Sequence, residues 1–275
     1  MMARSGSVRS FQATLDAATA RWWFFFGFLV LQGVAVPFAS RNFHLSRWAD
    51  ICREALSGAF VYKEWMQPTY PLFKVIPVVL IALVILGGNR YRRVFAAYVA
   101  FSYFLFAVGQ NVAISETFGL CILTVNIVMF SLVGLFWIWE AVAQQNDFSK
   151  ITRSPCRYWV LAPALLAFWL PAKDGGPYFD PLLLLTSGAG LGFCLMTPVY
   201  IALLSLYHPS LNVATLRVTS TVGLILGFYN MLFTWGMAFR TAWWGGVLHL
   251  PLVILSVYGL ALSFSATRSG RTAPV

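Results

Sequence analysis

The chain has 275 residues, 59% of them hydrophobic and only 10% charged, with a formal net charge of +10. Soluble domains carry about 25% charged residues, so this chain cannot cover one core with a polar skin, which excludes a soluble enzyme, a nucleic-acid-binding domain and a disordered chain. Eight apolar helices of ~20 residues would use ~160 residues, close to the hydrophobic fraction, and the expected class is an all-α, polytopic transmembrane helical bundle.

Residues 1–21 are a basic segment in which Val8, Phe11, Leu15 and Ala18 recur at helical spacing and lead into Trp22, the pattern of a short interfacial helix. The apolar run that follows is too long for a signal-peptide core, and Pro37-Phe38-Ala39 is a poor cleavage site, so an uncleaved first span over about 22–39 is expected. It holds Gln32. In 41–70, Trp48, Ile51, Cys52, Ala55, Ala59 and Phe60 recur at i, i+3 and i+4, with Arg47, Asp50, Arg53 and Glu54 opposite. That spacing predicts an amphipathic interfacial helix between spans 1 and 2, lying on the membrane or capping the bundle. Gln67-Pro68-Thr69-Tyr70-Pro71 ends it.

Span 2 is expected at 71–88, with Pro77, followed by a tight turn carrying Arg90, Arg92 and Arg93. Span 3 covers 94–111 and closes on Gln110-Asn111. A very short turn bearing Glu116 leads to span 4, 118–139, which contains Asn126 and ends at Trp137, Trp139 and Glu140, read as a solvated helix end. Span 5, 156–171, is short and contains Pro163. Span 6, 180–206, carries the Gly188–Gly192 run and Pro198; spans 7 and 8 cover 215–236 and 243–264. Gly188/Gly192 and Gly223/Gly227 are both G-x-x-x-G pairs, which predict close packing of spans 6 and 7; the alternative is a broken helix in span 6, as in transporters that bind substrate at discontinuous helices. Residues 22–264 thus read as one integral membrane domain, and 265–275 as a short basic tail.

Eight spans place both termini on one side. With the amino terminus inside, the inner segments hold twelve Lys and Arg and the outer ones seven. The positive-inside rule therefore puts both termini in the cytoplasm, with anionic lipid headgroups as partners of the inner face. The four cysteines form no C-x-x-C pair, so no zinc or thioredoxin-like site is expected; Cys52 and Cys121 share the outer side.

Polar residues within spans mark sites, because in hydrocarbon each must find a partner or line a wet cavity. Gln32, Gln110, Asn111, Asn126, Asn230 and His249 fall at the middle or in the outer half of five different spans. A shared ligand-binding site explains this depth, and private interhelical hydrogen bonds are the competing explanation. His249, the one histidine within a span, could contact ligand, handle a proton or bind a metal. Glu116 and Arg240 sit at the outer mouth as a gate or charge pair. No lysine is expected inside a span, which disfavours a Schiff-base photoreceptor, and no catalytic or metalloprotease motif is present.

The expected function is a small-solute transporter, or the membrane subunit of a transport system, with its ligand site in the outer half of the bundle. An intramembrane enzyme acting on a lipid or isoprenoid, and a redox or quinone-associated anchor or structural partner-binding bundle, are the alternatives. The plasma membrane is the expected location. No cofactor is specified by the residues; a partner membrane subunit or a second copy of the chain fits the lipid-facing small-residue stripes.

Overall fold

The computed structural model describes residues 2–151, 155–237 and 239–269, with side chains described over 6–151, 156–236 and 243–265. In chain order the helices are α1 (Met2–Thr19), α2 (Trp22–Val34), α3 (Trp48–Ser57), α4 (Tyr70–Gly87), α5 (Arg92–Gly109), α6 (Thr124–Ala143), α7 (Leu161–Trp169), α8 (Leu183–Thr186), α9 (Phe193–Tyr207), α10 (Val213–Met237) and α11 (Phe239–Ser269). Among the described residues, five helical segments are long and apolar enough to cross a membrane: Glu64–Arg90, Arg92–Gly109, Thr124–Ala143, Val213–Gly236 and Trp243–Ser265. Leu183–Leu191 and Phe193–Tyr207 make a sixth only as a pair bent by 97°. Thus the all-α membrane bundle stands, while spans 1 and 5 contain only the short apolar helices Trp22–Val34 and Cys156–Trp169.

The helices run back and forth between two ends. One end is built by strands. β1 (Phe38–Ala39), β2 (Val112–Ser115) and β3 (Gly119–Ile122) form an antiparallel sheet in the order β1-β3-β2, with Phe38 opposite Ile122 and Ala113 opposite Cys121. The expected start of span 4 at 118 is therefore a strand, and α6 begins at Thr124. The turn bearing Glu116 is the tip of this hairpin. Strands close to a membrane end are tolerable because β1 and β2 both pair with β3, leaving few backbone groups unsatisfied. A second small hairpin, β4 (Ala172–Lys173) with β5 (Gly176–Pro177), follows α7.

The amphipathic helix expected in 41–70 is α3. Its buried Ile51 and Ala55 pack with Phe118, Cys121 and Leu123 of the sheet region, while Arg47, Asp50 and Arg53 form an exposed ion-pair ladder on the other face. Glu54 accepts a hydrogen bond from Ser115 Oγ, tying α3 to the hairpin. Cys52 and Cys121 lie in this same cluster as free thiols.

The core runs through α5, α6, α9 and α10. Phe130 and Phe193 stack with centroids 4.0 Å apart. Trp137 Nε1 donates to Thr219 Oγ1 at 3.1 Å, and Tyr103 OH and Thr197 Oγ1 are 3.1 Å apart. Such buried hydrogen bonds and close packing replace the hydrophobic drive that is missing between helices in lipid. On α4, Leu72, Val75, Val78, Val79 and Leu86 are exposed, as suits a surface that meets lipid rather than water.

The glycine pairs do not pack on each other. A Cβ added at Gly223 or Gly227 would meet Leu252, Val253 and Ser256 of α11, and at Gly223 also Thr197 of α9; at Gly188 and Gly190 it would meet Tyr70 and Phe73 of α4, and at Gly192 only Leu195 and the Ala189 carbonyl of its own segment. The first pair lets α10 approach α11. The second region holds α4 against the break between α8 and α9, so span 6 takes the broken form.

Candidate functional site

The sheet end of the bundle contains a cavity of about 460 Å³, within the usual ~300–1,000 Å³ range of small-molecule sites. Its walls come from the end of α2 (Gln32, Gly33), the extended Ala35–Pro37, α3 (Trp48, Cys52, Leu56), the start of α6 (Thr124, Val125, Asn126) and the last turns of α10 (Leu226, Tyr229, Asn230, Phe233). Three of the amides expected at a shared site, Gln32, Asn126 and Asn230, therefore line one cavity although they lie on three helices far apart in sequence.

Local sequence explains their placement. Helix α2 ends at Val34, where Ala35 and Pro37 turn the chain into an extended run toward β1; Gln32 is thus on the last turn and faces inward. Asn126 is fixed by its neighbour, since its Nδ2 donates to Asn111 Oδ1 at 2.8 Å. Asn230 Nδ2 donates weakly to Cys194 Sγ at 3.5 Å. Gln32 Oε1 is buried and has no hydrogen-bond partner among the described residues. No side chain caps α6 at Leu123, and the first amide of that helix to find a carbonyl is Ile127, on Leu123. Its leading N–H groups, at the positive end of the helix dipole, belong to the cavity-lining Thr124, Val125 and Asn126.

The other expected site residues do different work. Gln110 donates to Tyr62 OH at 3.0 Å and accepts from Phe193 N at 2.7 Å, so it caps α9 just after the bend. Asn111 is buried; its Nδ2 donates to the Phe106 and Ala107 carbonyls at the end of α5 at 3.0 and 3.2 Å. His249 Nδ1 lies 2.7 Å from the Gly245 carbonyl one turn back and is not among the cavity-lining residues. Glu116 is exposed at the hairpin tip. The Arg240 side chain lies outside the described residues, so the structure does not place the pair expected with Glu116. Among the described residues no three His, Cys, Asp or Glu side chains are grouped to hold a metal.

Lys74 also departs from expectation. It is fully buried in α4, where its Nζ donates to the Phe168 carbonyl and lies 4.0 Å from the Phe168 ring centroid. It therefore satisfies an end carbonyl of α7, where a cation is favoured by the helix dipole.

The opposite, basic end holds a buried polar network that hydropathy reading missed. Glu140 is 2% exposed, not solvated; it accepts from Asn146 N and Asn212 Nδ2, both at 2.8 Å. Gln12 of α1 donates to Asn212 Oδ1 at 2.9 Å and to Asp16 Oδ1 at 3.0 Å, and accepts from Trp139 Nε1 at 2.7 Å. Arg217, 1% exposed, donates to Thr19 Oγ1, the Asp16 carbonyl and the Ser263 carbonyl at 2.9–3.1 Å. Burial pushes the Asp16 carboxyl above its usual range, against the opposing pull of Gln12 and Arg217. Nearby, Arg157 Nη1 donates to the His208 carbonyl at 2.6 Å, and His208 Nε2 donates to the Leu262 carbonyl at 3.1 Å. The legible signal was a polar residue at each element boundary on this side, which a reading by depth assigns to solvent.

No family model, curated protein or solved structure matches the chain.

Proposed function

We propose that this protein is a multi-pass membrane transporter for a small solute, or the ligand-binding membrane subunit of a transport system, with its site in the cavity at the sheet end. The observation that carries the reading is the convergence of Gln32, Asn126 and Asn230 on one cavity. The broken α8–α9 pass supplies the kind of discontinuous element on which such proteins move.

The intramembrane-enzyme alternative is less well supported, because neither a carboxylate nor a histidine lines the cavity and acid–base work on a lipid or isoprenoid needs one. The redox or quinone-anchor reading draws on no particular residue. We place eight passes in the plasma membrane with both termini cytoplasmic, the sheet end and α3 at the outer surface, and anionic lipids against the basic end. Lys74 and Arg217 are buried and leave the two counts of surface cations, one from each side, so the contrast between the faces persists.

Purified protein screened against solute libraries by thermal shift tests the reading. A stabilising solute is expected, and its shift should disappear in both Asn126→Ala and Asn230→Ala while His249→Ala retains it. If the shift survives both asparagine substitutions in folded protein, the cavity is not the site.

A further inference from the structure

We infer that the cavity takes an uncharged amphiphile, an apolar chain with a hydroxyl or amide head, that enters sideways from the bilayer between α2 and α10. This deepens the ligand-site reading above and rests on it.

The head is defined by what the walls offer. No Asp, Glu, Lys, Arg or His lines the cavity, so an ionised head would be desolvated without a counter-charge. Gln32, Asn126 and Asn230 line the cavity with amides, a group that can both donate and accept. Asn126 and Asn230 each spend one amide N–H within the protein and keep the other. A hydroxyl or a primary amide satisfies both requirements at once. A carboxylate brings a charge without a counter-charge, and a quaternary ammonium can neither donate nor accept.

The route is defined by the rim. Of the lining side chains that are exposed, Val36, Leu45, Trp48 and Tyr229 are apolar or aromatic, and Thr124 alone is polar. On either side of the opening the exposed surface continues as Val30 and Val34 on α2 and Phe228 and Leu232 on α10. A mouth opening to water would carry polar groups at its edge, whereas this one merges into the apolar belts of two helices. Leu56, Leu226 and Phe233, which are not exposed, provide apolar wall for a chain. Trp48 and Tyr229 suit the depth where an amphiphile's polar and apolar parts meet, since such rings are enriched at membrane interfaces.

The test uses full-length protein in lipid nanodiscs and three photoreactive diazirine probes of equal chain length: hexadecanol, hexadecanoate at pH 8 and hexadecyltrimethylammonium. Crosslinks are mapped by mass spectrometry. The alcohol is expected to label peptides containing Trp48, Asn126 or Tyr229 at least tenfold more than either ion, with competition by unlabelled hexadecanol. Gln32→Leu should reduce that labelling severalfold while leaving crosslinks elsewhere on the lipid-facing surface unchanged. Equal labelling by all three probes overturns the head-group assignment, as does labelling that Gln32→Leu does not alter. If no amphiphile reaches the cavity but a water-soluble solute gives a thermal shift that Asn126→Ala abolishes, the amphiphile inference fails and the site reading survives. If neither occurs, both fail.

Discussion

Gln32 and Asn111 carry the same functional group and experience opposite fates. Asn111 is saturated, donating to two carbonyls of α5 and accepting from Asn126, while Gln32 Oε1 is buried without a partner. Substituting each by leucine should therefore move stability in opposite directions. Gln32→Leu should raise the free energy of unfolding by about 1 kcal/mol, since it removes an unsatisfied acceptor. Asn111→Leu should lower it by about 2 kcal/mol, since it deprives Asn126 of its acceptor and α5 of its cap. Thermal unfolding followed by tryptophan fluorescence in one detergent compares the two, and loss of stability in Gln32→Leu would refute the contrast. Residue type and depth were legible in the sequence, which is why Gln32, Asn126 and Asn230 could be grouped; which amides were already partnered was not, because Gln110 and Asn111 find their partners at element ends that only the fold brings together. His208 shows the same limit. Read as a turn residue, it is in fact buried beside Arg157, and burial together with that guanidinium lowers its pKa below the ordinary value of 6.5. A lowered histidine favours the folded state fully above its unfolded pKa and loses that contribution as pH falls from about 6.5 through the folded value. The wild-type melting temperature should thus drop by more between pH 7.5 and 5.5 than that of His208→Gln, which keeps a donor for the Leu262 carbonyl and does not titrate.

Among the elements, legibility followed period and length. Helix α3 was readable because its apolar positions repeat at 3.6 residues, and its two inward stripes now have separate tasks: Ile51 and Ala55 on the sheet, Trp48, Cys52 and Leu56 on the cavity. The sheet was not readable, because Val112–Ser115 and Gly119–Ile122 are short apolar stretches that merge with the neighbouring spans and carry no alternation of their own. The bend in span 6 was visible only as a glycine run with two readings. Its geometry now separates the glycines. A Cβ at Gly190 would strike the Phe73 backbone, which cannot step aside, whereas at Gly188 it would meet the Tyr70 ring at 3.3 Å, and a side chain can shift by a few tenths of an ångström. Gly190→Ala should therefore cost about 1–3 kcal/mol, the usual range for forced overpacking, and Gly188→Ala well under 1 kcal/mol. Side-by-side thermal unfolding of the two variants decides it; equal costs would mean that the α4 backbone does not set the position of the break.

At the scale of the molecule, the eight-pass proposal turns on whether α2 and α7 cross, and the flanking chain adds length to both. Helix α2 has 13 residues, about 20 Å at 1.5 Å per residue. The chain then continues extended through Ala35–Ala39, which adds up to ~16 Å at about 3.3 Å per residue. That non-helical stretch is acceptable near hydrocarbon because its ends are paired: Ala35 N donates to the Leu31 carbonyl, and Phe38 and Ala39 join the sheet. In the same way the 3₁₀ turns of Pro155–Val160 lengthen α7, giving about 26 Å together at 2.0 and 1.5 Å per residue. Both chain segments also begin at the buried basic-end network or beside it, where Arg217 grips Thr19 and Arg157 grips His208. The proposed eight-pass topology puts Phe43 and Lys173 on the outer side and Ser10 and Cys156 on the inner. In intact cells, Phe43→Cys and Lys173→Cys, each placed at an exposed position in a chain carrying Cys156→Ser, should react with a membrane-impermeant maleimide. Ser10→Cys in that background, and native Cys156 in the unmodified chain, should react only after permeabilisation. If Phe43→Cys and Ser10→Cys label from the same side, α2 does not cross; if Lys173→Cys and Cys156 do, α7 does not, and the bundle has correspondingly fewer passes.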